Sequence, residues 1–118
     1  MRTSEYAQLS RKLLQEAGAL LAQGDYHQAS EKFWGAAAIM VKAIAEKRGW
    51  PHDGHRELYR TVSRLAQETG QQELNRSFGS AGQLHVNFYE DWLPPDQVVE
   101  LATQVRELLD ELVLVLEA

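Results

Sequence analysis

The chain contains no cysteine. Disulfide frameworks, thiolate nucleophiles and thiolate zinc sites are therefore excluded, and a reducing cytoplasm is the expected compartment. Proline occurs only at Pro51, Pro94 and Pro95, which leaves long stretches free of helix breakers. The longest uncharged apolar run, Gly35 to Val41, stops at Lys42, far short of the roughly 18 residues a membrane span needs. Met1-Arg2-Thr3-Ser4-Glu5 leads into no apolar signal-like core, so neither export nor a membrane partner is expected. Basic residues are also in deficit, 12 against 17 acidic, for a net charge of −5. That balance argues against general coating of duplex DNA.

The deficit is uneven. Net charge is 0 over residues 1–41, +3 over 42–64, −1 over 65–89 and −7 over 90–118. A basic middle can still hold a phosphate group or a short single strand. At 118 residues, 44% hydrophobic and 25% charged, the chain fits one globular domain over 1–118 that buries roughly two thirds of its unfolded surface.

Apolar residues recur at spacings of three and four in five segments, and no segment sustains a period of two. The first helix is predicted from about Thr3 to Gln23, with Tyr6, Leu9, Leu13, Ala17 and Leu20 as its stripe and Gly24 as its stop. Asp25 suits the N-cap of a second helix carrying Tyr26, Ala29, Phe33, Met40 and Ile44, which Gly49 and Pro51 end. Lys47 and Arg48 complement its negative end. A third helix with Leu58, Val62, Leu65 and Ala66 ends near Gly70; a fourth spans roughly Gln72 to Asp91; a fifth begins at Pro94-Pro95. The expected fold class is all-α, a five-helix antiparallel up-and-down bundle. Two small-residue clusters, Gly35-Ala36-Ala37-Ala38 and Gly79-Ser80-Ala81-Gly82, are read as facing each other. Leu112-Val113-Leu114-Val115-Leu116 is apolar on every side, so Val113, Leu114 and Val115 form the expected homodimer interface.

Arg56, Arg60 and Arg64 recur every four residues on helix three, a ridge suited to phosphate oxygens unless Glu57, Glu68 or the acidic fifth helix neutralises it. His85 lies on the apolar side of helix four, where a histidine is either a hydrogen-bonded core residue or a proton-transfer group. Asn87, Tyr89 and Glu90 follow it closely. His52 and His55 flank a turn at Asp53-Gly54; a metal there would need a third and fourth ligand from elsewhere, such as His85 or Glu90, and neither a metal nor another cofactor is expected. Gly24-Asp25-Tyr26 with Ala29 and Phe33 matches a tetratricopeptide hairpin, but one 34-residue period on stand Leu58, Arg60 and Ser63, so there is no second copy. No Gly-x-Ser-x-Gly elbow is present either.

Gly24-Asp25-Tyr26-x-x-Ala29, Lys32-Phe33-Trp34-Gly35-Ala36-Ala37, Trp50-x-His52-x-x-His55 and above all Leu84-His85-x-Asn87-Phe88-Tyr89-Glu90 together resemble the archaeal repetitive-element (PaREP) family of HEPN-like helical proteins. The resemblance covers about Leu13 to Leu112. It implies a bundle that commonly dimerises, within a superfamily associated with nucleotide or RNA binding and with a nucleotidyltransferase partner. HEPN ribonucleases carry Arg-x(4–6)-His, which would need arginine at 78, 79 or 80; this chain has Phe78, Gly79 and Ser80. Arg76 stands on the opposite side of the helix from His85 at about 100° per residue. The expectation is therefore a non-catalytic dimeric bundle that binds a nucleotide or RNA segment, or an accessory subunit of a nucleic-acid-modifying partner. Its ligand residues are His85, Asn87, Tyr89, Glu90, Arg56, Arg60 and Arg64. The alternatives are a ribonuclease with a departed motif, in which His85 is the acid or base, and a pure protein-interaction module.

Overall fold

A computed structural model describes residues 1–118. Five helices account for nearly all of them: α1 (Thr3–Ala22), α2 (Tyr26–Arg48), α3 (His55–Thr69), α4 (Glu73–Glu90) and α5 (Pro95–Glu117). There is no strand. The predicted punctuation acts as expected. Gly24 takes a left-handed φ of 78°, Asp25 accepts from the Gln28 amide at 3.1 Å, and the Asp25 amide returns to the Leu20 carbonyl at 2.9 Å. This tight turn folds α1 back on α2. Gly49 repeats the left-handed cap at φ 72°, and the Trp50 amide closes it on Ala45 O at 2.8 Å. Pro95 opens α5.

α2 is the hub, packing against α1, α3, α4 and α5. Twelve of its residues are buried, from Ala29 to Ala45, and one core cluster of 27 buried apolar residues draws on all five helices. Phe33, Met40 and Ile44 of α2 meet Leu65 of α3, Phe78 and Leu84 of α4, and Leu108 and Leu112 of α5 as large, fully buried side chains. Alanine over much of this helix lets its neighbours approach closely at no side-chain entropy cost. Ser10 of α1 donates to the Ala36 carbonyl at 2.7 Å, which satisfies the buried hydroxyl within the α1–α2 interface. No helix is long and apolar enough to cross a membrane.

Three expectations are corrected. The glycines of the two small-residue clusters do not face each other: a Cβ on Gly35 would meet Leu13 of α1 at 3.3 Å, one on Gly82 would collide with the Tyr59 hydroxyl of α3, and one on Gly79 would meet nothing within 4 Å. The glycines serve two different interfaces and one open surface. Second, the apolar excess at the end of α5 is largely absorbed by the fold itself. Leu112 and Leu116 are buried, Val113 and Val115 pack partly buried against the core, and only Leu114 is left, 62% exposed. Third, Lys47 does not serve its own helix end; its Nζ reaches the Leu116 carbonyl of α5 at 2.5 Å. A cation there completes the C-terminus of the most acidic helix.

The two kinds of glycine predict opposite responses to alanine. Gly24→Ala forces a left-handed residue with a Cβ and is expected to cost about 1–2 kcal/mol. Gly79→Ala fills open space inside a helix and is expected to gain up to about 1 kcal/mol. Urea denaturation of the two variants checks this, and equal effects would refute the conformational assignment.

Candidate functional site

The predicted ligand residues separate into two places. The first is built on facing stretches of α2 and α4 and on the first residue of α3. His85 Nδ1 lies 2.8 Å from Glu31 Oε1; because a carboxylate only accepts, Nδ1 carries the proton and Nε2 of the neutral ring keeps its lone pair. The His85 ring stacks on Trp34 at 5.0 Å and on His55 at 5.2 Å, and His55 lies nearly parallel to Trp34 at 5.2 Å. Tyr89 meets His85 edge-on at 5.3 Å and is 71% exposed. Glu31 and His85 are themselves about one-third and one-quarter exposed, 32% and 24%. The pair is thus reachable from solvent while held from behind by rings.

Beside this cluster runs a groove of about 540 Å³ between α1, α2 and the start of α3. Leu9, Leu13, Trp34 and Ile39 supply its apolar wall, and Lys32, Lys42, Glu31 and His55 its polar rim. Lys32 is tied to Glu16 at 2.9 Å, and that hydrogen bond holds the Glu16 carboxyl below its ordinary value. The rim therefore carries both signs of charge.

The second place is on α3. Arg60 and Arg64 line a groove of about 220 Å³ together with Trp50, Pro51, Glu57 and Thr61. The Arg64 guanidinium lies 4.0 Å from the centroid of the Trp50 ring, and that of Arg48 lies 4.9 Å away. Neutralisation of the ridge is partial: Arg48 pairs with Glu68, and Arg60 with Glu57 only at 4.0 Å. Arg56 is exposed and lines neither groove. The acidic α5 takes no part. A larger cavity of about 730 Å³ lies between α4 and α5, but Glu73, Glu107, Asp110 and Glu111 surround it against Arg76 alone, so it repels phosphate.

Asn87 and Glu90 differ from the expected roles. Asn87 is 2% exposed; its amide donates to Ser30 Oγ at 3.0 Å, and its carbonyl accepts the Trp92 and Leu93 amides at 3.0 and 2.8 Å. Its polar atoms are committed to tying the α4–α5 turn to α2. Asp91, at φ 50°, takes the left-handed cap that this turn requires. Glu90 is exposed at the end of α4 with no ion pair. His52 and His55 diverge, His52 to Glu46 at 2.7 Å and the edge of Tyr6, His55 to the Trp34 stack. No three His, Asp or Glu side chains converge as metal ligands. His27 Nε2 donates to the Phe88 carbonyl at 2.6 Å, satisfying the end of α4.

The partners that sequence reasoning missed are Glu31 for His85 and Trp50 for Arg64. Glu31, Trp34 and Ala38 share one side of α2 at spacings of three and four, the only local signal that a carboxylate accompanies the ring.

The "Archaeal PaREP1/PaREP8 family" matches residues 5–109 of the chain. No curated protein matches it. Among solved structures, a protein from Sulfolobus solfataricus is similar with a TM-score of 0.79 and 25% identity, over 89% of this chain and 93% of that one.

Asn87→Ala is expected to destabilise the protein by about 1–3 kcal/mol, because two loop amides and a buried hydroxyl lose their partner. Thermal denaturation measures this; a loss under 0.5 kcal/mol, on the order of an ordinary surface substitution, would show that the turn does not depend on it.

Proposed function

The chain belongs to the archaeal PaREP1/PaREP8 family, and on that premise we propose that it is a non-catalytic, HEPN-like helical-bundle protein that binds a nucleotide or RNA segment along α3. In that role it serves on its own or as the accessory subunit of a nucleic-acid-modifying partner such as a nucleotidyltransferase. One observation carries the reading: Arg60 and Arg64 share a groove with the Trp50 ring. Guanidinium groups offer forked donors to phosphate oxygens, and a base entering the groove stacks on the guanidinium–indole pair or on the indole after displacing the Arg64 guanidinium that lies over it. Arg64 makes no ion pair, so its charge is not already spent. Trp50 is held by backbone, since its amide is bonded to Ala45 O and Pro51 follows it, which fixes the platform before a ligand arrives.

A second reading rests on the Glu31–His85 pair. A carboxylate on Nδ1 orients an imidazole and leaves Nε2 as a base, an arrangement suited to proton transfer. In that version the protein is a hydrolase acting on a phosphodiester, and Tyr89 positions the substrate beside the ring.

Titration with a short single-stranded RNA and with nucleoside triphosphates at low and moderate salt tests the first reading. Arg60→Ala and Arg64→Ala are each expected to weaken binding and to flatten the salt dependence by about one unit of slope. Trp50→Ala is expected to cost roughly 1–3 kcal/mol of affinity if a base stacks there. Absence of binding to either probe overturns the proposal. RNA cleavage by the wild type that disappears in His85→Ala would replace it with the hydrolase reading.

A further inference from the structure

The polar side chains buried in the fold are Ser10, Ser30, Thr61, Ser77, Ser80 and Asn87. Ser10, Ser30, Ser80 and Asn87 are hydrogen-bonded within the protein. Thr61 and Ser77 make no hydrogen bond through their hydroxyls, yet no side-chain polar atom is sealed away from both solvent and a partner, so each hydroxyl opens on a groove. Thr61 lines the α3 groove beside Arg60 and Arg64. Ser77, only 5% exposed, lines the cavity of about 730 Å³ between α4 and α5, which takes no part in phosphate binding on α3. The negative charge of this cavity is not spent within the protein. Glu73 is held by Arg76 on its own turn at 2.7 Å, which occupies the one cation of the lining, whereas Glu107, Asp110 and Glu111 of α5 make no ion pair.

We propose that this cavity is a binding site for a linear alkyl polyamine. Asp110 and Glu111 stand about 4.5 and 6 Å beyond Glu107 along the helix axis, at 1.5 Å per residue, and no three His, Asp or Glu side chains converge as metal ligands. The charge is spread along the wall, which suits an extended cation and not a point ion. Ammonium groups donate and do not accept, and a spacer of three or four methylenes sets successive ammonium groups at a separation comparable to that of the α5 carboxylates. Ser77 supplies an acceptor from the opposite wall, on α4, already stripped of most of its water. Leu74 and Leu108, 2% and 1% exposed, lie between the two walls, and the methylenes of the ligand rest on them as a lysine stem rests on apolar surface. The volume falls in the range of small-molecule sites, about 300–1,000 Å³, so a short, flexible polycation fits the cavity where a folded basic protein does not.

Calorimetric titration of the full chain with spermine at low and moderate salt reads affinity and stoichiometry. One molecule per chain is expected, bound more weakly as salt rises. Asp110→Asn, at an exposed position, should weaken binding roughly tenfold, the worth of one hydrogen bond to a charged group. Ser77→Ala breaks no hydrogen bond of the protein and improves helix propensity, so it should melt no lower than the wild type while binding spermine about fivefold more weakly. Glu100→Gln removes an equal charge from α5 outside the cavity and should leave the affinity unchanged. Absence of spermine binding at low salt, an equal loss in Glu100→Gln and Asp110→Asn, full affinity in Ser77→Ala, or tighter binding of magnesium ion or of a lysine-rich peptide than of spermine would each overturn the assignment. Equal loss in the two α5 variants would reduce it to diffuse attraction by an acidic helix, and tighter binding of magnesium or peptide would give the cavity to a metal or to a basic protein segment.

Discussion

The structure depends on the burial of α2. A helix that touches four others cannot carry bulky side chains on every side, and from Gly35 to Ala45 this one alternates alanine with a few large anchors. Phe33, Met40 and Ile44 fill the space between α4 and α5, while the small residues let α1 approach until Ser10 reaches a backbone carbonyl. Interior packing at crystal-like density makes that arrangement intolerant of added volume. One side of α2 is only partly covered, with Trp34 and Ala38 buried and Glu31 and Ile39 half-buried. It bears Glu31, Trp34, Ala38 and Ile39, and the α1–α3 gap above it is the larger mixed-charge groove.

The chemistry of the surface follows from this scaffold. α3 is the shortest helix and packs mainly on α4, so one of its sides turns outward with Arg56, Arg60 and Arg64. Its first residue, His55, is exposed but stacks on the Trp34 and His85 rings. The same helix thus carries a basic, solvent-facing groove at one side and a ring cluster at its start. These are different environments. In the ring cluster an imidazole is oriented by a carboxylate; in the groove, guanidinium groups lie on an indole. The acidic α5 is remote from both and confines any anionic ligand to the α3 side by repulsion.

Helix existence and limits were legible in the sequence because each signal is local. Gly24-Asp25, Gly49-Trp50-Pro51 and Pro94-Pro95 define turns from neighbouring residues alone, and the observed helices start and stop within a residue or two of them. The candidate site was legible only in part. His85, Tyr89, Arg60 and Arg64 occupy surfaces where they can meet a ligand, whereas Asn87 is committed inside. Its role is set by Ser30 and by the amides of Trp92 and Leu93, and the link to Ser30 spans 57 positions. Periodicity cannot reveal such a partner. The same holds for Glu31 and His85, 54 positions apart. The end of α5 misled for a related reason: an apolar run shows hydrophobicity on all sides but not that neighbouring helices wrap around most of it.

The most direct test of ligand recognition on α3 is a map of amide and indole resonances in the uniformly labelled protein as a short single-stranded RNA is added. Perturbations are expected at the Trp50 indole N–H and at residues around Arg60 and Arg64, fading as salt is raised. Changes confined to α5, or spread evenly over the molecule at every salt concentration, would contradict a localised, phosphate-directed site beside Trp50.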